Sequence, residues 1–241
     1  MNIAPRSCDK DLGLVPGIQA LRGMRRRKAT SSWDGVASSA KALNASAQFE
    51  SLLESDFLSL LDADPRVHSF ACQPHRKVIR TDVHCGGASQ RREYTPDFVV
   101  KFRDGRVFVV EIKAAYFAEQ ARWRDLEPII AKAYREDDGV NFIVFTEREI
   151  RLEPRLSNAK TMLRHRFSPK DDGTEFAIRD LLAGSGGMSI GELASALSEH
   201  DNVAVNQAFG AVMRLGLKGA VRLDGRTTFD LSTRVELEVT S

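Results

Sequence analysis

At 241 residues, 42% hydrophobic and 28% charged, the chain has the make-up of a globular protein with room for one large or two small cores. Its longest apolar runs, such as 107–110 and 142–145, are far too short to span a bilayer, and no apolar h-region follows the basic N-terminal residues. With three cysteines lacking any framework spacing, this predicts a cytoplasmic protein without membrane contact; the net charge of +2 hides +5 in residues 1–48 and −3 in the rest.

Residues 1–45 are rich in Gly, Ser, Ala and Arg and show no sustained period, so they are expected to form a basic flexible arm. Such an arm could neutralise phosphates or simply stay solvated. From about 46 the pattern turns helical. Phe49, Leu52, Leu53, Phe57, Leu60 and Leu61 recur at helical spacing over 46–61, until Asp64-Pro65 stops the run. Short strands are expected at 66–72, 75–81, 93–102 and 106–113, the last two joined as a hairpin across Arg103-Asp104-Gly105-Arg106. A helical stretch over 117–136, bent or divided at Pro128, is followed by a buried strand over 140–147 and a short helix near 158–165. The breaker cluster 168–173 sets the expected boundary between a domain at 46–168 and another at 169–241. In the latter, Ser189 and Glu192 make a capping box, a second helix spans 203–216, and Asp224-Gly225 centres a hairpin over 220–231. Helix, helix, hairpin is the order of a winged helix-turn-helix module.

The chemistry concentrates in "REYTPDFVVKFRDGRVFVVEIK". Alternate residues of a strand share a face, so Val107, Val109, Glu111 and Lys113 align. Asp97 follows Pro96, where the strand must bend or lie at an edge, and the hairpin brings it beside 111–113. Two converging carboxylates repel unless something positive lies between them. Lys113 supplies one charge, and a divalent cation would supply more. Hard oxygen donors of this kind suit magnesium and phosphodiester hydrolysis, with the ammonium steadying the nucleophile or the developing charge. The plainer reading makes Asp97 a turn cap and Glu111–Lys113 a solvated pair. A third acid would come from the preceding helix. Glu50 and Glu54, four residues apart, lie on one side of the expected 46–61 helix, at the flank of its apolar face, and geometry alone does not choose between them. Cys72-x2-His75 with His84-Cys85 has zinc-like residue types, but the first pair falls on strands and the second in a Gly-rich turn, which favours a structural reading.

Together, "FESLLESDFLSLLDADPRVHSFACQP", "REYTPDFVV" and "VVEIK" resemble the TnsA endonuclease subunit of heteromeric bacterial transposases, a member of the PD-(D/E)xK nucleases. The resemblance is close over about 46–115 and looser over 188–232. It implies an α/β fold with a restriction-endonuclease-like mixed sheet flanked by helices, and a C-terminal winged-helix-like domain. It puts Glu54, Asp97, Glu111 and Lys113 on the nuclease motif positions, Gln73 on a recurrent glutamine beside the site, and leaves Glu50 as rival to Glu54. The implied cofactor is Mg2+, held by Glu54, Asp97 and Glu111, with Mn2+ as a substitute. The implied activity is cleavage at the 5′ ends of a transposon, and the implied partners are DNA, a TnsB-like transposase subunit and a TnsC-like ATPase regulator. Two other functions remain open: a stand-alone nuclease of the same fold, and a non-catalytic DNA-binding regulator. Residues 189–241 carry five basic and seven acidic side chains, a poor balance for a polyanion, so the second domain is expected to dock on the ATPase regulator.

Overall fold

The computed structural model describes residues 7–21, 34–44, 46–81, 90–167 and 171–238. They fall into two units, residues 1–61 with 66–150 and residues 62–65 with 151–241, taken here in turn.

The first unit opens with α1 (Ser7–Asp11), then the short antiparallel pair β1 (Gly35–Ala37) and β2 (Ala47–Phe49). Next come α2 (Leu52–Ala63), β3 (Val67–Cys72), and a separate two-stranded ribbon of β4 (Lys77–Thr81) and β5 (Gln90–Tyr94). β6 (Phe98–Phe102) and β7 (Val107–Ile112) form the expected hairpin, followed by α3 (Ala115–Ala118) and α4 (Ala121–Ala133). The chain then makes a π-helical turn over Tyr134–Asp138, which Gly139 ends at φ +67°, and closes with β8 (Asn141–Phe145) and α5 (Glu147–Ile150). The main sheet has the order β3-β6-β7-β8. Its first two pairings are antiparallel and β7–β8 is parallel, so the sheet is mixed.

Period-two patterning gives this sheet two apolar faces. Ala71, Val99 and Val109 lie opposite one another in register and pack with Leu12, Leu14, Ile79, Ile130, Tyr134 and Val140. On the other face the α2 residue Phe57 meets Phe98 at 5.3 Å and Phe145 at 5.2 Å between ring centroids. Each such side chain stabilises the fold by about 1.5–3 kcal/mol when fully buried, which offsets the polar cluster that the sheet also carries.

Several boundaries differ from the sequence pattern. Part of the expected arm is packed: Leu12 is 1% exposed, and Asp9 forms a buried ion pair with Lys101 at 2.7 Å. Residues 41–44 run along the outer edge of β3, where Phe70 N–H donates to the Lys41 carbonyl and Leu43 N–H to the Phe70 carbonyl. A handful of apolar anchors sufficed, and composition averaged them away. The helix starts at Leu52 rather than 46, because residues 47–49 pair with β1 and the Phe49 ring occupies the space a Cβ on Gly35 would need. The expected 93–102 strand is two strands, interrupted at Thr95-Pro96-Asp97, since Pro96 has no N–H to give a ladder. The 117–136 helix divides at 119–120, while α4 runs on through Pro128.

The second unit comprises α6 (Arg155–Arg164), α7 (Asp172–Ser185), β9 (Met188–Ser189), α8 (Ile190–Asp201), α9 (Val205–Lys218), β10 (Val221–Leu223) and β11 (Arg234–Leu237). Its antiparallel sheet has the order β10-β11-β9, and its core gathers Ile178, Leu182, Leu193, Ala211, Leu215 and Val235. The capping box of Ser189 and Glu192 is present at the head of α8. Helix α7 lay unsuspected behind the breaker cluster, where Asp171 accepts from Thr174 N–H as its N-cap. Asp224-Gly225 begins a longer loop, so β10 pairs with β11 and not with residues up to 231. α6 belongs to this unit, although the expected boundary lay at 168; residues 168–170 fall outside the described ones.

Candidate active site

The chain enters the site at the N-terminus of α2. Ser51 precedes the helix, its Oγ accepting from Glu54 N–H at 3.2 Å and donating to Glu54 Oε1 at 2.9 Å. Glu54 Oε2 accepts from Glu50 N–H at 2.8 Å. The carboxylate is thus fixed over the first turn of the helix, where the dipole favours it. Glu54 is 9% exposed, and burial lifts its carboxyl above the ordinary glutamate range. Its hydrogen bonds oppose that shift, and the charges of Glu50 and Glu111 add to it. Glu50 therefore stands before the helix and not within it. Its Oε1 is buried and has no hydrogen-bond partner among the described residues.

Asp97 and Glu111 meet across the β6–β7 hairpin. The register pairs Phe98 with Val110, which sets the preceding Asp97 opposite the following Glu111. Both are 8% exposed, and Asp97 Oδ2 accepts from Ile112 N–H at 2.8 Å. Glu111 Oε1 pairs with Lys113 Nζ at 2.9 Å, and Oε2 accepts from the Tyr94 hydroxyl at 2.6 Å. Burial raises the Tyr94 phenol well above its usual range, and the charge of Glu111 raises it further, so Tyr94 stays a proton donor. The Lys113 ammonium lies 4.0 Å from the centre of the Trp123 ring of α4, which with Glu111 defines its position from two sides. Gln73, 6% exposed, takes a left-handed backbone at φ +45° and donates its N–H to the Asp97 carbonyl at 2.9 Å. Such a conformation is uncommon for a residue with a Cβ.

The structure thus brings Glu54, Asp97, Glu111 and Lys113 within electrostatic reach of one another, with Gln73 bound to the loop that carries Asp97. Tyr94 and Trp123 are additions that sequence reasoning missed. Tyr94 stood in the quoted motif, three residues before Asp97, while Trp123 read only as an apolar helix position. Among the described residues, no three Asp, Glu, His or Cys side chains are already arranged as a metal cage. The donor chemistry is nonetheless that of a hard divalent cation: buried carboxylate oxygens, like-charge repulsion at Glu54, and an orphaned buried oxygen on Glu50.

The zinc-like pattern does not assemble on the residues that can be seen. His75 Nδ1 lies 3.0 Å from the Leu12 carbonyl, which can only accept, so Nδ1 carries the proton and Nε2 faces the Tyr134 hydroxyl at 2.7 Å. Burial pushes the Cys72 thiol up to about 12. His84 and Cys85 lie outside the described residues.

Residues 64–147 match the family model of the TnsA-like endonuclease N terminal. The match supports a TnsA-like nuclease of the restriction-endonuclease-like fold over that segment, in accord with the mixed sheet. The match takes in Gln73, Asp97, Glu111 and Lys113 and begins after Glu54. No curated protein matches the chain.

Proposed function

We propose that the first unit is a magnesium-dependent DNA endonuclease, acting as a subunit of a heteromeric transposase to hydrolyse phosphodiester bonds at the 5′ ends of a transposon. The observation that carries this reading is the buried cluster of Asp97, Glu111 and Glu54 with the Lys113 ammonium, paired with Glu111, at the end of β7. Asp97 and Glu111 would hold Mg2+, or Mn2+ in its place, with Glu54 as the third carboxylate. When bound, the cation polarises a phosphate oxygen and lowers the pKa of an attacking water. Ile112 N–H orients Asp97, Tyr94 orients Glu111, and Lys113 offsets negative charge on the phosphate as it grows. Gln73 holds the Asp97 backbone in place.

The partners in this reading are the transposon-end DNA, a TnsB-like transposase subunit that acts at the 3′ ends, and a TnsC-like ATPase regulator. The second unit acts as a winged-helix-like module that docks on the regulator. Its α9 would be the groove-reading helix, yet residues 210–216 are buried, with His165 and Met162 at the end of α6 packed against Gly210 and Gly216. The exposed first turn, residues 205–207, carries no cation to meet a phosphate, which supports a protein partner.

The test is strand nicking in magnesium by Asp97→Ala and by Lys113→Ala, with circular dichroism to confirm folding. Each variant should lose cleavage by at least about a hundredfold. Near-normal nicking by either one removes its residue from the site.

A further inference from the structure

The ribbon of β4 and β5 stands apart from the main sheet, and its two faces differ in character. Ile79, 2% exposed, packs into the core with Ile130 and Tyr134. Lys77 is pinned by Asp138 at 2.6 Å and Asp137 at 2.9 Å. The base of the ribbon is therefore rigidly attached.

The register pairs Val78 with Glu93 and Arg80 with Arg91, so Arg76, Val78, Arg80, Arg91 and Glu93 share the outer face. Val78 is 55% exposed, and Arg80, Arg91 and Arg92 are exposed as well. The Glu93 carboxylate is taken by Arg76 at 3.2 Å. Arg80 and Arg91 face each other directly, a pairing of like charges that weakens a ladder. Among the described residues, neither these two nor Arg92 forms an ion pair. An uncompensated guanidinium pair on a fixed, exposed ribbon suits an external polyanion, and guanidinium matches phosphate geometry. The ribbon also leads straight to the carboxylate cluster. Tyr94, its last residue, donates to Glu111, and Asp97 follows three residues later.

We propose that the β4–β5 ribbon is the DNA-holding element of the first unit, with Arg80 and Arg91 gripping phosphates beside the scissile bond and Val78 lying against the duplex. A two-stranded ribbon is narrow enough to enter a major groove. This inference rests on the endonuclease reading and names how that site takes hold of its substrate.

The experiment measures duplex binding by the full chain over a salt series without divalent cations, for wild type, Arg80→Ala/Arg91→Ala, and the corresponding double lysine variant. The alanine variant should bind about tenfold or more weakly at moderate salt. Its slope of log K against log salt should be shallower by about 2, as two phosphate contacts require, while the lysine variant keeps most of the slope. A single Arg91→Gln change, shallower by about 0.9, serves as a second reading on a minimally altered fold. Unchanged affinity and slope in the folded alanine variant overturn the proposal and leave the ribbon to an acidic protein. Wild-type protein that binds through these arginines but never cuts would uphold the ribbon and remove the nuclease reading. Wild type that cuts, with the alanine variant binding equally well, would remove the ribbon alone.

Discussion

Both units bury carboxylates, and they compensate them in opposite ways. In the second unit Glu175, 7% exposed, lies between Arg214, at 2.9 Å, and Lys218. Burial pushes its carboxyl up, but the two cations outweigh that and hold it below the ordinary glutamate range. In the first unit Glu54, Asp97 and Glu111 are buried to the same degree, and the Lys113 ammonium pairs with Glu111. There the Glu54 carboxyl is held above its ordinary range, first by burial and then by its acidic neighbours. Elsewhere in the same unit Asp9 and Lys101 form a buried ion pair. A carboxylate with two cations acts as a structural lock. A carboxylate held up by burial and by acidic neighbours costs stability, and what it offers in return is affinity for a cation from outside.

The contrast can be broken most forcefully from the second unit. Arg214→Ala leaves Glu175 buried with one exposed lysine and should lower unfolding free energy by about 3–5 kcal/mol. Glu111→Gln in the first unit should change it by no more than about 1 kcal/mol, since like-charge repulsion falls as the Lys113 pair is lost. Denaturant titrations of both variants compare the two directly, and equal losses would erase the distinction. The same lock has a pH signature. The Glu175 carboxyl is depressed on folding, so its contribution is present above the ordinary glutamate pKa and lost as pH falls through the lower folded value. Arg214→Ala should flatten that acid limb.

Within the cluster the effects are graded. Glu54→Gln should slow cleavage by about a hundredfold and Glu50→Gln by only a few-fold, as single-turnover rates would reveal. The reverse order would transfer the third carboxylate to Glu50, whose Oε1 is buried without a partner among the described residues. Tyr94→Phe keeps the ring and loses the bond to Glu111. A hydrogen bond to a charged group is worth about 1.5–3 kcal/mol, so kcat should fall about tenfold or more with KM little changed. A rise in KM alone would contradict a role in orienting Glu111. The smallest effect belongs to Asp171, whose carboxyl its bonds to Thr174 hold down to about 2. Asp171→Ala should cost α7 about 1 kcal/mol of stability, with cleavage untouched.

The legible part of the site was the part written in period-two patterning. Alternation placed Glu111 and Lys113 on one face, and the hairpin signal at Asp104-Gly105 carried Asp97 to them; the register has just this arrangement. Helical spacing failed for Glu50, because residues 47–49 pair with β1, a contact set by residues 10 to 14 positions earlier. Tyr94 and Trp123 were invisible for a related reason. Their roles depend on where a separate ribbon and a later helix come to rest, which local pattern does not encode. In the second unit the capping box was readable because it is local. The cluster Asp171-Asp172-Gly173 was taken for a break and is instead the start of α7, since the residues that end one element also cap the next.

The central claim is that the first unit's buried negative charge awaits a divalent cation. Trp123 lies on α4 of the first unit, so its fluorescence follows that unit's thermal unfolding in the full chain. The decisive measurement is that melting midpoint with and without magnesium, in wild type and in Asp97→Asn/Glu111→Gln. Binding to the folded state at a hundred times Kd stabilises it by about 2.7 kcal/mol, which raises the midpoint by several degrees. The account predicts that rise in wild type and its loss in the double variant. No rise in wild type, or the same rise in both proteins, would contradict it.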